Sequence, residues 1–426
     1  MVTIEQLYAI YLKHPSVQTD TRKLQAGDLF FALKGENFNG NLFAEAAIKN
    51  GASYAIVDEK EYAHSPQCIL VDNVLDTLQQ LALYHRETFN IPFIAITGSN
   101  GKTTTKELMY AVLSSTFKTY ATQGNLNNHI GIPLTLLSIK RDAEMAIIEM
   151  GANHQKEIAS YCQYVKPTHA LINNCGKAHL EGFGGIEGVR KGKGELYDYI
   201  RQHGGVIFKN ADLDYLNEMA SGITNQITYG KLNADYTYSS RMEHSFLQVS
   251  LTAPRMECTI HTHLVGEYNA ANVMAAVAVG HTFKIPVDVI RRAIEAYMPD
   301  NSRSQLIQRG NNTIIMDAYN ANPSSMYAAI KNFEQLDDPN KVVMLGGMME
   351  LGPESIQEHR RLVDLLMESN WHHVILVGGD FQHIDHPYLY FKDALAAKEW
   401  FDAQHFNHAT ILIKGSRAFT MEKIIQ

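Results

Sequence analysis

The chain has 426 residues, 45% of them hydrophobic and 19% charged, with 29 Gly and 12 Pro. That balance belongs to a globular protein of two or three domains and excludes disorder, collagen-like repeats and a coiled coil as overall architectures. The net charge of −8, from 37 Lys and Arg against 45 Asp and Glu, supplies no global basic field for nucleic acid or an anionic membrane, so positive charge for a polyanion must be local.

The first residues, MVTIEQLYAIYLKHP, have neither a basic leader nor a sustained apolar run, so no signal peptide is expected. No stretch approaches the ~18 apolar residues of a membrane span. Cys68, Cys162, Cys175 and Cys258 are scattered without CxxC spacing, the usage of reduced thiols in a cytoplasmic protein. Within residues 1–88, short apolar runs at 29–33, 54–57 and 69–71 alternate with Gly, Asn and Asp. Residues 75–89 then place Leu75, Leu78, Leu81, Ala82 and Phe89 on one helical face. This predicts a small α/β module ending at Asn90-Ile91-Pro92.

A second segment, 89–298, opens on an apolar strand at 93–97 and alternates helices with strands. Leu247, Val249 and Leu251 share one face, and Met256, Cys258 and Ile260 alternate beyond Pro254, the period-two pattern of half-buried antiparallel strands. A mostly parallel sheet with an antiparallel extension is expected. The polar run 298–304 reads as a linker. Beyond it, in 299–426, apolar strands at 313–316, 341–345, 374–377 and 410–413 alternate with helical patterns such as 355–369, predicting a further parallel, Rossmann-like α/β domain.

The sharpest local pattern follows the strand at 93–97: Gly98-Ser99-Asn100-Gly101-Lys102-Thr103-Thr104. A strand, a Gly-rich turn and a helix start bring backbone N–H groups and a helix N-terminus to one point, which suits phosphate. Lys102 would reach the terminal phosphates and Thr103 would offer its hydroxyl to Mg²⁺. The spacing is GxxGKT rather than the strict GxxxxGK[ST], since residue 96 is Ile. Glu149 ends the apolar run 145–149, placing a carboxylate at the carboxyl edge of the sheet, where α/β proteins bind ligands and where it can hold a nucleotide's Mg²⁺. A Gly-rich loop then carries His179, readable as a structural residue or a ligand, and Lys191 and Lys193, readable as a solvated face or as phosphate contacts.

Together these residues resemble the Mur ligases, ATP-dependent amide-forming enzymes of peptidoglycan synthesis, across essentially the whole chain. The resemblance implies an ATP site on Gly98, Ser99, Asn100, Gly101, Lys102, Thr103 and Thr104, with Asn272 toward adenine and Arg303 and Asp317 contributed by the third domain. It implies two Mg²⁺ ions, one held by Thr103 and Glu149, the other by His179 and a carbamylated Lys193, with Lys102, Glu149, His179 and Lys193 as the catalytic set. Within the family the likeness is greatest to the member that adds D-alanyl-D-alanine to UDP-N-acetylmuramoyl-tripeptide. It rests on Gly124-Asn-Leu-Asn-Asn-His-Ile-Gly-Ile-Pro133, Asp317-Ala-Tyr-Asn-Ala-Asn-Pro323, Gly346-Gly-Met-Met-Glu-Leu-Gly352 and Lys414-Gly-Ser-Arg417. The DNPR-type motif of the diaminopimelate-adding member is missing from the C-terminal region. By the same resemblance Thr21, Arg22, Lys34, Gly35 and Asn37 would line the uridine-diphosphate end of the substrate, and Asn125 and Asn128 would face it. Two positions depart from the family pattern: Tyr268 stands where relatives have His, and Asn39-Gly40-Asn41 where they read Asp-Gly-His. The competing readings are a sister ligase, including a folylpolyglutamate-synthase type, and a non-ligase P-loop switch or kinase. Nothing in the sequence marks an oligomeric state, and a monomer suffices for this reading.

Overall fold

The computed structural model describes residues 2–252, 257–300 and 302–426. Three larger sheets follow one another along the chain, and a two-stranded antiparallel pair, Lys34–Gly35 with Phe38–Asn39, stands beside the first. The first is fully parallel, in the order Val17–Gln18, Leu29–Phe31, Tyr54–Val57, Cys68–Leu70. The helix Val74–Glu87 leaves it and carries the chain to the second sheet. Its first turn is capped by Asn73, whose side chain accepts from the Asp76 N–H. Phe89 lies just past its end, packing edge-on against His85 rather than extending the helical face. Arg86 fastens this helix to the central domain. Its buried guanidinium donates to the carbonyls of Val165 at 2.7 Å and Lys166 at 2.8 Å and lies 3.6 Å over the Phe93 ring.

The second sheet has nine strands. Its core is parallel, Phe93–Thr97 lying between His169–Ile172 and Met145–Glu149. Both faces are covered: Ile94, Ile96 and Ile147 pack in one cluster, Phe93, Ala95 and Ile148 in the other. That accounts for the unbroken apolar strands, as parallel sheets require. At one edge Tyr236–Glu243, Phe246–Leu251 and Cys258–His261 pair antiparallel, the expected extension; Pro254 and Met256 lie outside the described residues. The helix Ala270–Thr282, buried almost all round, packs on Lys102–Ser114. A Cβ on Gly280 would come within 2.5 Å of Val112, so the close approach needs glycine there.

The third sheet runs Gln305–Arg309, Asn312–Asp317, Thr410–Lys414, Lys341–Gly346, His373–Val377, Leu389–Phe391 and is parallel except for its first pair. Alternate residues of its inner strands feed two cores, one with Ile315, Val343 and Leu412, the other with Ile314, Val342 and Ile411. In both large sheets, the carboxyl ends of the inner strands open toward the same cleft. Among the described residues, no helix is long and apolar enough to cross a membrane, and all four cysteines are free thiols.

Candidate active site

A cavity of about 590 Å³ lies between the central and third domains. Its floor is the Gly-rich loop. Gly98 and Gly101 take φ of +148° and +82°, conformations that favour glycine, and neither position has room for a side chain. A Cβ would fall 2.9 Å from Asn173 Cβ at the first and 2.6 Å from Asn272 Oδ1 at the second. The loop is stapled to the neighbouring strand's exit. Asn174 accepts the Ser99 N–H on its backbone oxygen at 2.9 Å and the Asn100 N–H on its side chain at 3.0 Å. Ser99 Oγ donates to the Gly176 carbonyl at 2.9 Å. The helix Lys102–Ser114 starts at this point, so its unpaired N–H groups face the cavity. Lys102 Nζ folds back onto the Gly98 carbonyl at 2.7 Å; burial lowers its pKa, opposed by the nearby Glu149 carboxylate.

Glu149 is 1% exposed. Its Oε1 accepts from Thr103 Oγ1 at 3.2 Å and Asn127 Nδ2 at 2.7 Å, whereas its Oε2 is buried without a hydrogen-bond partner. A buried, unsatisfied carboxylate oxygen beside a phosphate loop is a costly arrangement unless a cation completes it. Its hard oxygen donor and the Thr103 hydroxyl suit Mg²⁺. Among the described residues no three His, Cys, Asp or Glu side chains gather as a ready-made metal cluster.

His179 also lines the cavity. It sits in a left-handed turn, φ +52°, and its Nδ1 meets the carboxylate of Glu350 from the third domain. That contact leads the causes holding the Glu350 carboxyl below its usual range. The two lysines of the cationic helix start separate here. On Ile186–His203, Lys191 is exposed, while Lys193 falls on the inward face with Val189, Leu196 and Tyr197. The solvated-face reading therefore holds for Lys191 and fails for Lys193, which helical periodicity turns into the core. Lys193 Nζ donates to the Ala152 carbonyl at 2.9 Å and lies 5.0 Å over the Phe183 ring. Burial first, and repulsion from Lys102 second, push its pKa down to about 7.

Asn125, Asn128, Asn272, Arg303 and Asp317 all line the same cavity. Asn272 is braced by Thr105 Oγ1 at 3.0 Å and itself donates to Asn269 at 2.8 Å. Asn128 spends its side-chain oxygen on the N–H groups of Ile130 and Gly131, at 3.1 and 2.9 Å, at the start of the helix Gly131–Leu137. Arg303 stacks 3.7 Å over Tyr319, with its Nε buried and unpaired. Asp317 pairs with Lys414 at 2.6 Å and accepts the Ser304 N–H at 3.2 Å. Three contributors escaped assignment from the sequence although the quoted motifs contain them: Asn127, Lys414, and Asn322, which donates to Asn100 Oδ1 at 2.7 Å across the domain boundary.

Thr21, Arg22, Lys34, Gly35 and Asn37 are not brought to this cavity. They lie on the first domain, Arg22 paired with Asp20 at 2.8 Å, Lys34 with Asp58 at 3.0 Å and Glu59 at 2.8 Å. Asn41 and Tyr268, the two positions at which a departure from the resemblance is expected, each have a defined partner. Asn41 is buried and exchanges hydrogen bonds with Asp58, closing a turn where a Cβ on Gly40 would lie 2.4 Å from the Leu33 carbonyl oxygen. Tyr268 reaches Ser304 Oγ at 3.0 Å, tying the central domain to the linker.

Comparison with known proteins decides the family. The model of the Mur ligase family catalytic domain matches residues 15–86, that of the Mur ligase middle domain 96–280, and that of the Mur ligase glutamate ligase domain 302–417. The chain belongs to the Mur ligase family. The UDP-N-acetylmuramoyl-tripeptide–D-alanyl-D-alanine ligase of Escherichia coli (strain K12) is 34% identical to it, over 96% of this chain and 93% of the relative. The enzyme of that name from Bacillus subtilis (strain 168) is 33% identical over 96% and 92%. A crystal structure of MurF from Acinetobacter baumannii superposes with a TM-score of 0.88 at 32% identity, covering 96% of this chain and 92% of that one. MurF ligase from Thermotoga maritima in complex with ADP does so with 0.87 at 25%, covering 97% of each. In this Mur ligase the cavity thus lies between segments matched by the middle-domain and glutamate-ligase-domain models.

Proposed function

We propose that this Mur ligase joins D-alanyl-D-alanine to UDP-N-acetylmuramoyl-tripeptide with consumption of ATP, acting in the cytoplasm on a soluble peptidoglycan precursor. The observation that carries the reading is the single cavity in which the loop at Gly98–Thr104, Glu149 and His179 face Arg303 and Asp317 of another domain. The domains are taken as 1–88 for the UDP-linked substrate, 89–298 for ATP and 299–426 as the closing domain.

The reaction explains why such a site is needed. A carboxylate resists attack by an amine, so its oxygen first takes the γ-phosphoryl group of ATP, with ADP leaving. The amine of D-alanyl-D-alanine then adds to the acyl carbon, and the tetrahedral intermediate expels phosphate and loses the amine proton. Both steps gather negative charge on phosphoryl oxygens, so positioning and positive charge dominate catalysis. The helix N-terminus and Lys102 meet that charge directly, Lys102 exchanging the Gly98 carbonyl for phosphate. Glu149 and Thr103 would hold one Mg²⁺, and His179 with a carbamylated Lys193 a second, each neutralising phosphoryl charge when bound. Carbamylation needs a neutral amine to add CO₂, forming an N–C bond and releasing a proton, and a Lys193 pKa near 7 supplies it. Asn125 and Asn128 border the acceptor end of the cavity, and Arg303 and Asp317 close over the nucleotide.

The test is phosphate release from ATP with the two co-substrates supplied singly and together. Release that needs both supports the ligase; hydrolysis indifferent to both sinks it.

A further inference from the structure

The seam between the central and third domains is held by more than the cavity walls. Lys177 Nζ meets the buried Glu358 carboxylate at 2.6 Å, and the Lys177 N–H donates to Ser324 Oγ at 3.0 Å. The Glu181 N–H donates to the Glu350 carbonyl at 3.3 Å. A Cβ on Gly352 would stand 3.3 Å from Glu181 Cβ, so the segment 350–352 seats closely on the short helix Leu180–Phe183. In the middle of this seam the Glu350 carboxylate meets Nδ1 of His179. That nitrogen is buried and has no hydrogen-bond partner of ordinary geometry, so the Glu350 carboxylate that approaches it as an ion pair is the group placed to meet its polarity. Both residues hold left-handed backbone conformations, φ +63° at Glu350 and +52° at His179, which non-glycine residues keep only where their surroundings enforce them. The same cavity also carries the unpartnered Oε2 of Glu149.

We propose that Glu350 is a positioning residue: docking of the third domain delivers its carboxylate to Nδ1 of His179 and so turns Nε2 into the ring nitrogen presented to a cation in the cavity. A ligand histidine whose second nitrogen donates to a carboxylate is fixed in tautomer and orientation and made more basic. Here ligand and orienting group belong to different domains. The cation held by His179 therefore binds tightly only when the third domain is seated, which couples closure to completion of the catalytic site. The inference rests on the two-ion reading proposed above.

The experiment uses the full-length chain with a non-hydrolysable ATP analogue and Mn²⁺ as the probe, counted by electron paramagnetic resonance. The wild-type chain is expected to bind two ions. Glu350→Ala should weaken one of them by about tenfold or more, leaving the other ion and the nucleotide within about threefold of wild type. Glu350→Gln, whose amide oxygen still accepts from Nδ1–H, should restore most of the loss. Because the Glu350 side chain is half exposed, the Gln variant should melt with the wild type. Wild-type affinity for both ions in Glu350→Ala overturns the proposal, as does a Gln variant as weak as the Ala variant. A wild-type chain that binds a single ion overturns both this inference and the two-ion reading. Phosphate release indifferent to the co-substrates removes the ligase reading alone, since the Mn²⁺ series needs no turnover.

Discussion

The two ends of this Mur ligase are built on opposite terms. Around Gly98–Thr104 the polar side chains are buried and committed to one another: Glu149 to Thr103 and Asn127, Asn272 to Thr105 and Asn269, Ser99 to Gly176. On the first domain, Arg22 and Lys34 stand in solvent and are satisfied by nearby carboxylates. The difference follows from what each end must do. Stabilising charge that develops during phosphoryl transfer requires groups already in place, because reorganisation during the reaction is what slows it in water. Holding a substrate requires only net attraction, and exposed ion pairs, worth about 1 kcal/mol or less, are readily exchanged for contacts with a ligand.

The comparison is broken most directly at its rigid end. Glu149→Gln keeps the size of the side chain and an acceptor for Asn127 but removes the charge that an ion needs. Steady-state phosphate release should fall by about 10³-fold or more, roughly 4 kcal/mol in the barrier, with nearly unchanged thermal melting. A fall of less than tenfold would mean that the buried carboxylate is structural. Lys193→Ala should lose about 10² to 10³-fold in kcat, and a short carboxylic acid added in excess should restore part of it by standing in for the carbamate. Lys191→Ala, two residues away on the solvent side of the same helix, should turn over like the wild type.

Sequence patterning reached the larger sheets and the loop because apolar strands and Gly-Lys-Thr turns are local signals. Glu149 was legible for the same reason, as the last residue of a strand. Lys193 was only half legible: periodicity separates it from Lys191 once the helix is known, but the composition of the run suggests solvent for both. Glu350 and Asn322 lie far along the chain from His179 and Asn100, which they meet across the domain boundary. Their role exists only once two domains are docked, and no spacing within one segment encodes that.

Burial itself can be separated from catalysis at His169, on the same central sheet but at the opposite end of its strand from the cavity. Enclosed by Phe208 and Phe283, it has its pKa pushed down to about 4 by desolvation alone. The unfolded chain binds this proton below pH ~6.5 and the folded chain does not until about 4. Stability should therefore be full above pH 6.5 and decline between roughly 6.5 and 4, by about 3 kcal/mol at most. Denaturant unfolding across that range should show the slope, and His169→Phe should flatten it. An unchanged slope in the variant would assign the acid sensitivity to other groups.

The smallest effects belong to the flexible end, and there the sign carries the information. Lys34 is held by Asp58 and Glu59, and that pairing raises its own pKa and lowers that of Glu59. If the uridine-diphosphate end of the substrate docks here, it must compete with those carboxylates for the ammonium. Lys34→Ala should then raise KM for the UDP-linked substrate by about three- to tenfold, the loss of roughly 1 kcal/mol of charge-assisted binding. Glu59→Gln, which removes a competitor while leaving the Asp58–Asn41 turn intact, should lower that KM by about twofold to threefold. In both variants kcat should stay within about twofold, because an exposed group that acts only on binding is lost equally from the ground state and the transition state. Opposite shifts in KM at constant kcat would mark this face as a recognition surface; a change in kcat would show that the two ends are less independent than their construction implies.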